Sequence, residues 1–291
     1  MSNPTILVTG GAGQLGRRVL ELLLAAPGAR KLIATTRKPD ALAELAARGV
    51  EVRAADFAAP ESLAAAFAGG ARALLISTDA VGARLASHRA AIAALERAGA
   101  SHVVYTSAPL APSLGIVAEE HRGTEAALAA SALGHTSLRN NLYTDLALQW
   151  LPPAIASGRL VNAWGDGAVS FVSRDDCARA AAAALLDGFD GRRAIEIAGA
   201  QALTGAELAR VASELTGRQD DHAPVSAQAV VERLEAHGMP EAIAQAYAAF
   251  DVAIARGELV GSSRGFEQLT GAAPGSVHAF LAAHRSALVA A

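Results

Sequence analysis

The segment Thr5-Ile6-Leu7-Val8-Thr9-Gly10-Gly11-Ala12-Gly13-Gln14-Leu15-Gly16 decides the reading of this chain. TILVT is a short β-branched run that ends in glycines. Residues 14–26 follow with helical periodicity, Leu15, Val19, Leu22 and Leu23 falling on one face. The glycines read as G-x-x-G-x-x-G from Gly10 or as G-x-G-x-x-G from Gly11. In a strand–turn–helix setting they allow a tight turn, close approach of a pyrophosphate and close helix–strand packing. The free N–H groups at the helix start then face the anion. We expect a dinucleotide site at this turn, because the motif follows a predicted strand and opens a predicted helix.

The pattern continues outward. Strands are expected at 31–37, 50–54, 73–78, 102–107 and 135–140, with helices near 40–48, 60–68, 83–98 and 117–131 between them. Such alternation predicts an α/β fold, a Rossmann-type doubly wound parallel sheet. Pro152 and Pro153 read as a break, followed by short strands at 159–162 and 169–172 around Gly165-Asp166-Gly167. A helix over 174–187 and a strand at 193–198 return to the sheet. Thr204-Gly205-Ala206-Glu207 is a capping box for a helix to about 216. Helices are expected at 226–237, 240–256 and 276–288. The expected organisation is a nucleotide-binding domain over 1–150, its sheet completed by 174–200. A smaller, mostly helical substrate-binding part over 151–291 covers the strand ends.

Composition narrows the chemistry. The 291 residues carry one cysteine, Cys177, so a disulfide within the chain and a multi-thiolate metal site are excluded. No H-E-x-x-H or comparable cluster suggests a metal, and no G-x-S-x-G elbow appears. A net charge of −3 argues against nucleic acid as a partner. No apolar run approaches the ~18 residues of a membrane span, and MSNPTILVTG lacks the features of a secretory signal. We expect a cytoplasmic protein. Alanine-rich helix surfaces would suit a homo-oligomer, although alanine also simply favours helix.

The end of the second strand bears on cofactor choice. An acid about twenty residues after the glycines usually holds the ribose hydroxyls of NAD. Here the segment is Thr35-Thr36-Arg37-Lys38. Arginine there suits a 2′-phosphate, so NADP(H) is expected, with Arg37 the main contact and Lys38 secondary. Asp56 and Phe57 follow the third strand, where they can hold an adenine. Ser77 and Thr78 end the fourth strand, and Thr106 and Ser107 end the fifth, on the cofactor side. Lysine occurs only at Lys31 and Lys38, and no tyrosine has a lysine four residues on: Tyr105, Tyr143 and Tyr247 precede Pro109, Ala147 and Asp251. A tyrosine–lysine proton relay for alcohol oxidation is therefore absent.

These residues resemble the NmrA-like branch of the atypical short-chain dehydrogenase/reductases, and within it the bacterial type 2 NAD(P)H:quinone oxidoreductases. The resemblance runs over essentially the whole chain. It is carried by the glycine segment at 8–16, Leu74 to Ser77, Val81-Gly82, His88-Arg89, Tyr105-Thr106-Ser107, Glu120-His121, Thr124-Glu125, Leu138-Arg139-Asn140 and Tyr143. It continues through Gly165-Asp166-Gly167, Arg174 with Asp176, and Glu196 with Ala198-Gly199. It implies hydride transfer from NADPH to a quinone or another conjugated acceptor, with no flavin and no metal. By position, Gly10, Gly13, Gln14, Leu15 and Gly16 would hold the pyrophosphate, and Ser77, Thr106 and Ser107 would line the path to the nicotinamide. Asn140 and Tyr143 would approach the reacting rings, and Tyr143 or His121 could bind a quinone oxygen. Relatives often carry lysine after the Thr-Glu pair, where this chain has Ala126. The other function compatible with the resemblance is a non-catalytic NADP(H)-binding redox sensor.

Overall fold

The structure is a computed structural model and describes residues 3–28 and 30–289. Seven parallel strands make the central sheet: β1 (Ile6–Val8), β2 (Leu32–Thr36), β3 (Glu51–Ala54), β4 (Arg72–Leu75), β5 (His102–Ser107), β6 (Gly134–Asn140) and β9 (Arg192–Ile197). Their order is β3-β2-β1-β4-β5-β6-β9. The order reverses between β1 and β4, and ligands of such sheets bind outside the strand carboxyl ends at that reversal.

Alternation of side chains along each strand feeds two cores. Ile6 and Val8 pack with Val19, Leu20 and Leu23 of α1 (Gln14–Ala25) and with Cys177 and Ala181 of α7 (Arg174–Leu186). Leu7 and Ile33 face the opposite way, toward Leu63 and Phe67 of α3 (Leu63–Phe67) and Leu95 of α4 (Arg84–Arg97). Leu128 of α5 (Ile116–Ala130) closes that side. The predicted helices at 40–48 and 60–68 each begin as a 3-10 turn at Pro39 or Pro60. The first of them continues as α2 (Ala43–Ala47).

The later part has its own core around Trp164, Phe171, Leu208 and Ile254. The expected break at Pro152 and Pro153 is not there, for both lie inside α6 (Ala147–Ser157). The buried face Ala147, Leu151, Ala154 and Ile155 holds this helix together. Gln149 and Pro153 are exposed, so water can reach the side where proline removes a backbone donor. Strand β7 (Arg159–Asn162) pairs in parallel with β11 (Asp221–Pro224), and β8 (Ala168–Val169) pairs with β10 (Leu203–Thr204). The capping box of Thr204 and Glu207 opens α8 (Gly205–Thr216). Helices α9 (Ala227–Ala236) and α10 (Glu241–Ala255) match their expected spans. The single helix expected at 276–288 is instead α12 (Val277–Ala283) and α13 (Arg285–Val289). The short helix α11 (Arg264–Thr270) had no sequence counterpart; its Phe266 packs into the sheet core. Among the described residues, no helix is long and apolar enough to cross a membrane.

The glycine turn is tightly specified. Gly10 has φ +61°, a conformation that favours glycine. A Cβ on Gly16 would lie 2.4 Å from the Gly10 carbonyl oxygen, a backbone atom with no rotamer to move. Gly16→Ala should therefore destabilise the fold by about 1–3 kcal/mol and lower the urea midpoint. An unchanged midpoint would show that α1 can retreat from the turn.

Candidate active site

Two cavities meet at the carboxyl ends of the strands. One, of about 530 Å³, runs from Gly10, Ala12 and Gly13 past Thr35, Thr36, Arg37 and Lys38 to Asp56 and Phe57. The other, of about 330 Å³, is lined by Leu15, Thr106, Ser107, His121, Asn140 and Tyr143, with Phe250 and Leu259 from the C-terminal part. Ile76, Ser77, Thr78 and Asp79 line both, so the two cavities adjoin along this segment.

The first cavity is built for an anion. Gly13 caps α1 and, lacking a side chain, leaves the helix N-terminus without a side-chain acceptor. Arg37 and Lys38 are exposed, and neither is in an ion pair among the described residues. Asp56 accepts from the Ala58 N–H, and Phe57 stands edge-on to Phe67. The structure thus brings Gly10, Gly13, Arg37, Lys38, Asp56 and Phe57 together. It does not bring Gln14 or Gly16 to either cavity: Gln14 is exposed, and Gly16 is buried beneath Gly10.

Behind the second cavity lies a chain of buried polar groups. The Thr78 N–H donates to His88 Nε2 at 3.2 Å, which places the His88 proton on Nδ1. That nitrogen donates to Thr124 Oγ1 at 3.0 Å, and Thr124 donates in turn to the Glu120 carbonyl. The Tyr105 hydroxyl lies 2.7 Å from His121 Nδ1. When Tyr105 donates across this bond, a neutral His121 carries its proton on Nε2, on a residue that lines the cavity. Burial, reinforced by the nearby Arg84 charge, lowers His88 to about 4 and His121 to about 3. Both rings are therefore neutral near pH 7. Burial also pushes the Tyr105 phenol well above its ordinary value.

Other predicted residues have partners that limit their roles. Thr106 Oγ1 accepts from the Ser77 N–H, which locks the ends of β4 and β5 together. Ser107 donates to Glu125 at 2.7 Å, and Glu125 is clasped by Arg139 through two hydrogen bonds. Asn140 Nδ2 donates to the Tyr143 hydroxyl at 3.3 Å, while the Arg174 guanidinium lies 5.1 Å over the Tyr143 ring. Of the buried side-chain oxygens without a partner among the described residues, two, Asn140 Oδ1 and Thr78 Oγ1, belong to residues that line the second cavity. Unpaired buried acceptors are costly in a folded core, and at the cavity wall these two are free to accept from a bound group. Ala126 is exposed and lines neither cavity.

Sequence reading missed Arg84, Asp79, Phe250 and Leu259. Glu120 accepts from the Gly82 and Arg84 backbone N–H groups at the start of α4, and Arg84 Nε donates to the Thr78 carbonyl. The resemblance at Val81-Gly82, His88 and Glu120 marked this region, but not the arginine that holds it. Phe250 and Leu259 arrive from more than a hundred residues away, and no local pattern announces them.

A family model described as NAD(P)H-binding matches residues 10–188. The chain belongs to this NAD(P)H-binding family. The match spans the glycine turn through α7 and stops short of Phe250 and Leu259. Quinone oxidoreductase 2 of Escherichia coli (strain K12) is 35% identical over 91% of this chain and 93% of its own length. The crystal structure of an NADPH-dependent quinone oxidoreductase from Escherichia coli, complexed with NADPH, superposes with a TM-score of 0.91 at 33% identity. That superposition covers 97% of this chain and 99% of the other. The triphenylmethane reductase of Citrobacter sp., complexed with NADP(H), superposes with a TM-score of 0.88 at 34% identity, over 97% and 99% of the two chains.

The buried histidines make a measurable demand on pH. His88 and His102 are fully buried and His121 is 5% exposed, with His102 also lowered to about 4. Each takes up a proton near pH 6.5 when unfolded but resists it when folded. Stability is therefore complete above about pH 6.5 and falls as pH drops toward the folded values. Urea denaturation at pH 5 should show a loss on the order of 1–2 kcal/mol per histidine relative to pH 7. Equal stability at the two pH values would contradict the neutral-ring assignment.

Proposed function

We propose that the protein is an NADPH-dependent oxidoreductase that passes hydride directly to a quinone-like acceptor. The observation that carries this reading is the meeting of the two cavities at Ile76, Ser77, Thr78 and Asp79. The first suits a dinucleotide with a 2′-phosphate, because Arg37 and Lys38 line it without carboxylate partners. NADPH, when bound there, supplies the hydride. The second cavity, at about 330 Å³, is near the lower end of small-ligand pockets and suits one acceptor ring rather than a flavin and an acceptor together.

In this reading the chain orients the rings, excludes water and stabilises oxygen charge. Asn140 Oδ1 and Thr78 Oγ1 accept from the carboxamide or from a hydroxyl of the product. His121 Nε2–H donates to an acceptor oxygen as negative charge develops on it. Tyr105 fixes the His121 tautomer and is thus a positioning residue. A strong acid is unnecessary, because a reduced quinone is a phenolate-like anion whose conjugate acid has a pKa of about 10. Alignment of the reacting atoms in an apolar pocket supplies most of the rate. A cytoplasmic setting, where NADPH is available, suits the same reading.

The test is loss of NADPH absorbance with benzoquinone and naphthoquinone acceptors, using flavin-free protein. Turnover with NADPH is expected. Arg37→Ala should raise the KM for NADPH about 10- to 100-fold, as expected for a lost charge-assisted contact, and leave that for NADH unchanged. Equal losses for both cofactors would remove the 2′-phosphate assignment. Tight NADPH binding without turnover on any acceptor would instead make the protein a sensor.

A further inference from the structure

A third cavity, of about 440 Å³, lies beyond the acceptor pocket, enclosed by α6, β7, α9 and α10. Leu142, Leu146 and Phe250 line both it and the acceptor pocket, so the two spaces meet across three apolar side chains. Trp150 and Trp164, in T-shaped contact at 6.0 Å, contribute aromatic walls. The acid on its wall, Asp251, is already engaged: it accepts from Trp164 Nε1 at 2.7 Å and from the Ala163 N–H at 2.8 Å. Tyr247, 55% exposed, and Val225, 37% exposed, mark its open end. An apolar space of this size, left unfilled and open to water, is not what core packing produces.

Resting on the reading above, we propose that this cavity is a subsite for a long alkyl substituent on the acceptor. The ring to be reduced lies beside Asn140 and His121, and its chain crosses Leu142, Leu146 and Phe250 to lie against the two indoles. The substrate class is then an amphipathic quinone rather than a small unsubstituted one. The walls offer no free carboxylate to penalise an alkyl chain. Arg159 and Arg233 line the cavity from exposed positions, so their charged ends can stay in water while their stems cover the chain.

The test uses naphthoquinones with alkyl substituents from methyl to decyl. Each buried CH₂ contributes about 0.8 kcal/mol, which is roughly four-fold in affinity. KM should fall by up to about that factor per added carbon until the cavity is full, with kcat level. Ala229 lines this cavity and not the acceptor pocket. Ala229→Phe should abolish the chain-length dependence and leave the methyl homologue's KM unchanged. The chain's two tryptophans both line the cavity, so their emission reports occupancy without turnover. n-Decanol should shift that emission in the wild-type protein and compete with the decyl quinone. A KM independent of chain length, or equal loss of both homologues in Ala229→Phe, would overturn the subsite. If no quinone is reduced, the functional reading fails separately, and the decanol titration still decides whether the cavity takes an alkyl chain.

Discussion

The structure depends on the close approach of the Gly10 carbonyl to the first turn of α1. At Gly16 there is no room for a Cβ, so the helix start is pressed against the carboxyl end of β1. That contact aims an uncapped helix N-terminus at the crevice between β1 and β4. Every other site element is placed relative to it. The residue after β2, Arg37, lies on one flank, and the loop after β4 and the end of β5 carry Thr78 and Thr106 to the other. The dinucleotide cavity and the acceptor cavity are two arms of that single crevice.

The second constraint is burial of polar groups. A buried donor or acceptor without a partner costs more than a typical hydrogen bond gains, so the region behind the acceptor pocket is nearly closed as a network. His88, Tyr105, Thr124 and His121 each have a named partner, and donation from Tyr105 to His121 Nδ1 is the arrangement that puts the His121 proton on Nε2. Glu120 and Arg84 fix the loop that carries Thr78. Against this background the open atoms stand out: Asn140 Oδ1 and Thr78 Oγ1 are unsatisfied, and both lie at the cavity wall. The same burial that keeps the histidines neutral sets the acid sensitivity of the fold.

Much of this was legible in the sequence because it is local. The glycine turn, the five β-α repeats and the Thr204–Glu207 capping box are written within a few residues of where they act. The return of residues 193–198 to the sheet was legible from their β-rich pattern and the preceding helix. Pro152 and Pro153 misled because proline propensity says nothing of the buried face that holds α6 together. Gln14 lies inside the motif but is turned to solvent, and Gly16 acts by packing. Helix α11, strand β11 and the Phe250 and Leu259 walls are set by tertiary contact, for which no local spacing exists. The Tyr105–His121 hydrogen bond joins a strand to a helix, and only the fold brings its partners together.

The central claim is direct hydride transfer from NADPH to an acceptor held between His121 and Asn140. The most direct measurement is a single-turnover rate with NADPH deuterated on one or the other face of the nicotinamide, using flavin-free protein and a naphthoquinone. A pocket that presents one face to the acceptor predicts a primary isotope effect with one deuterated form and none with the other. Identical rates with both forms, or turnover that begins only when flavin is added, would contradict the account.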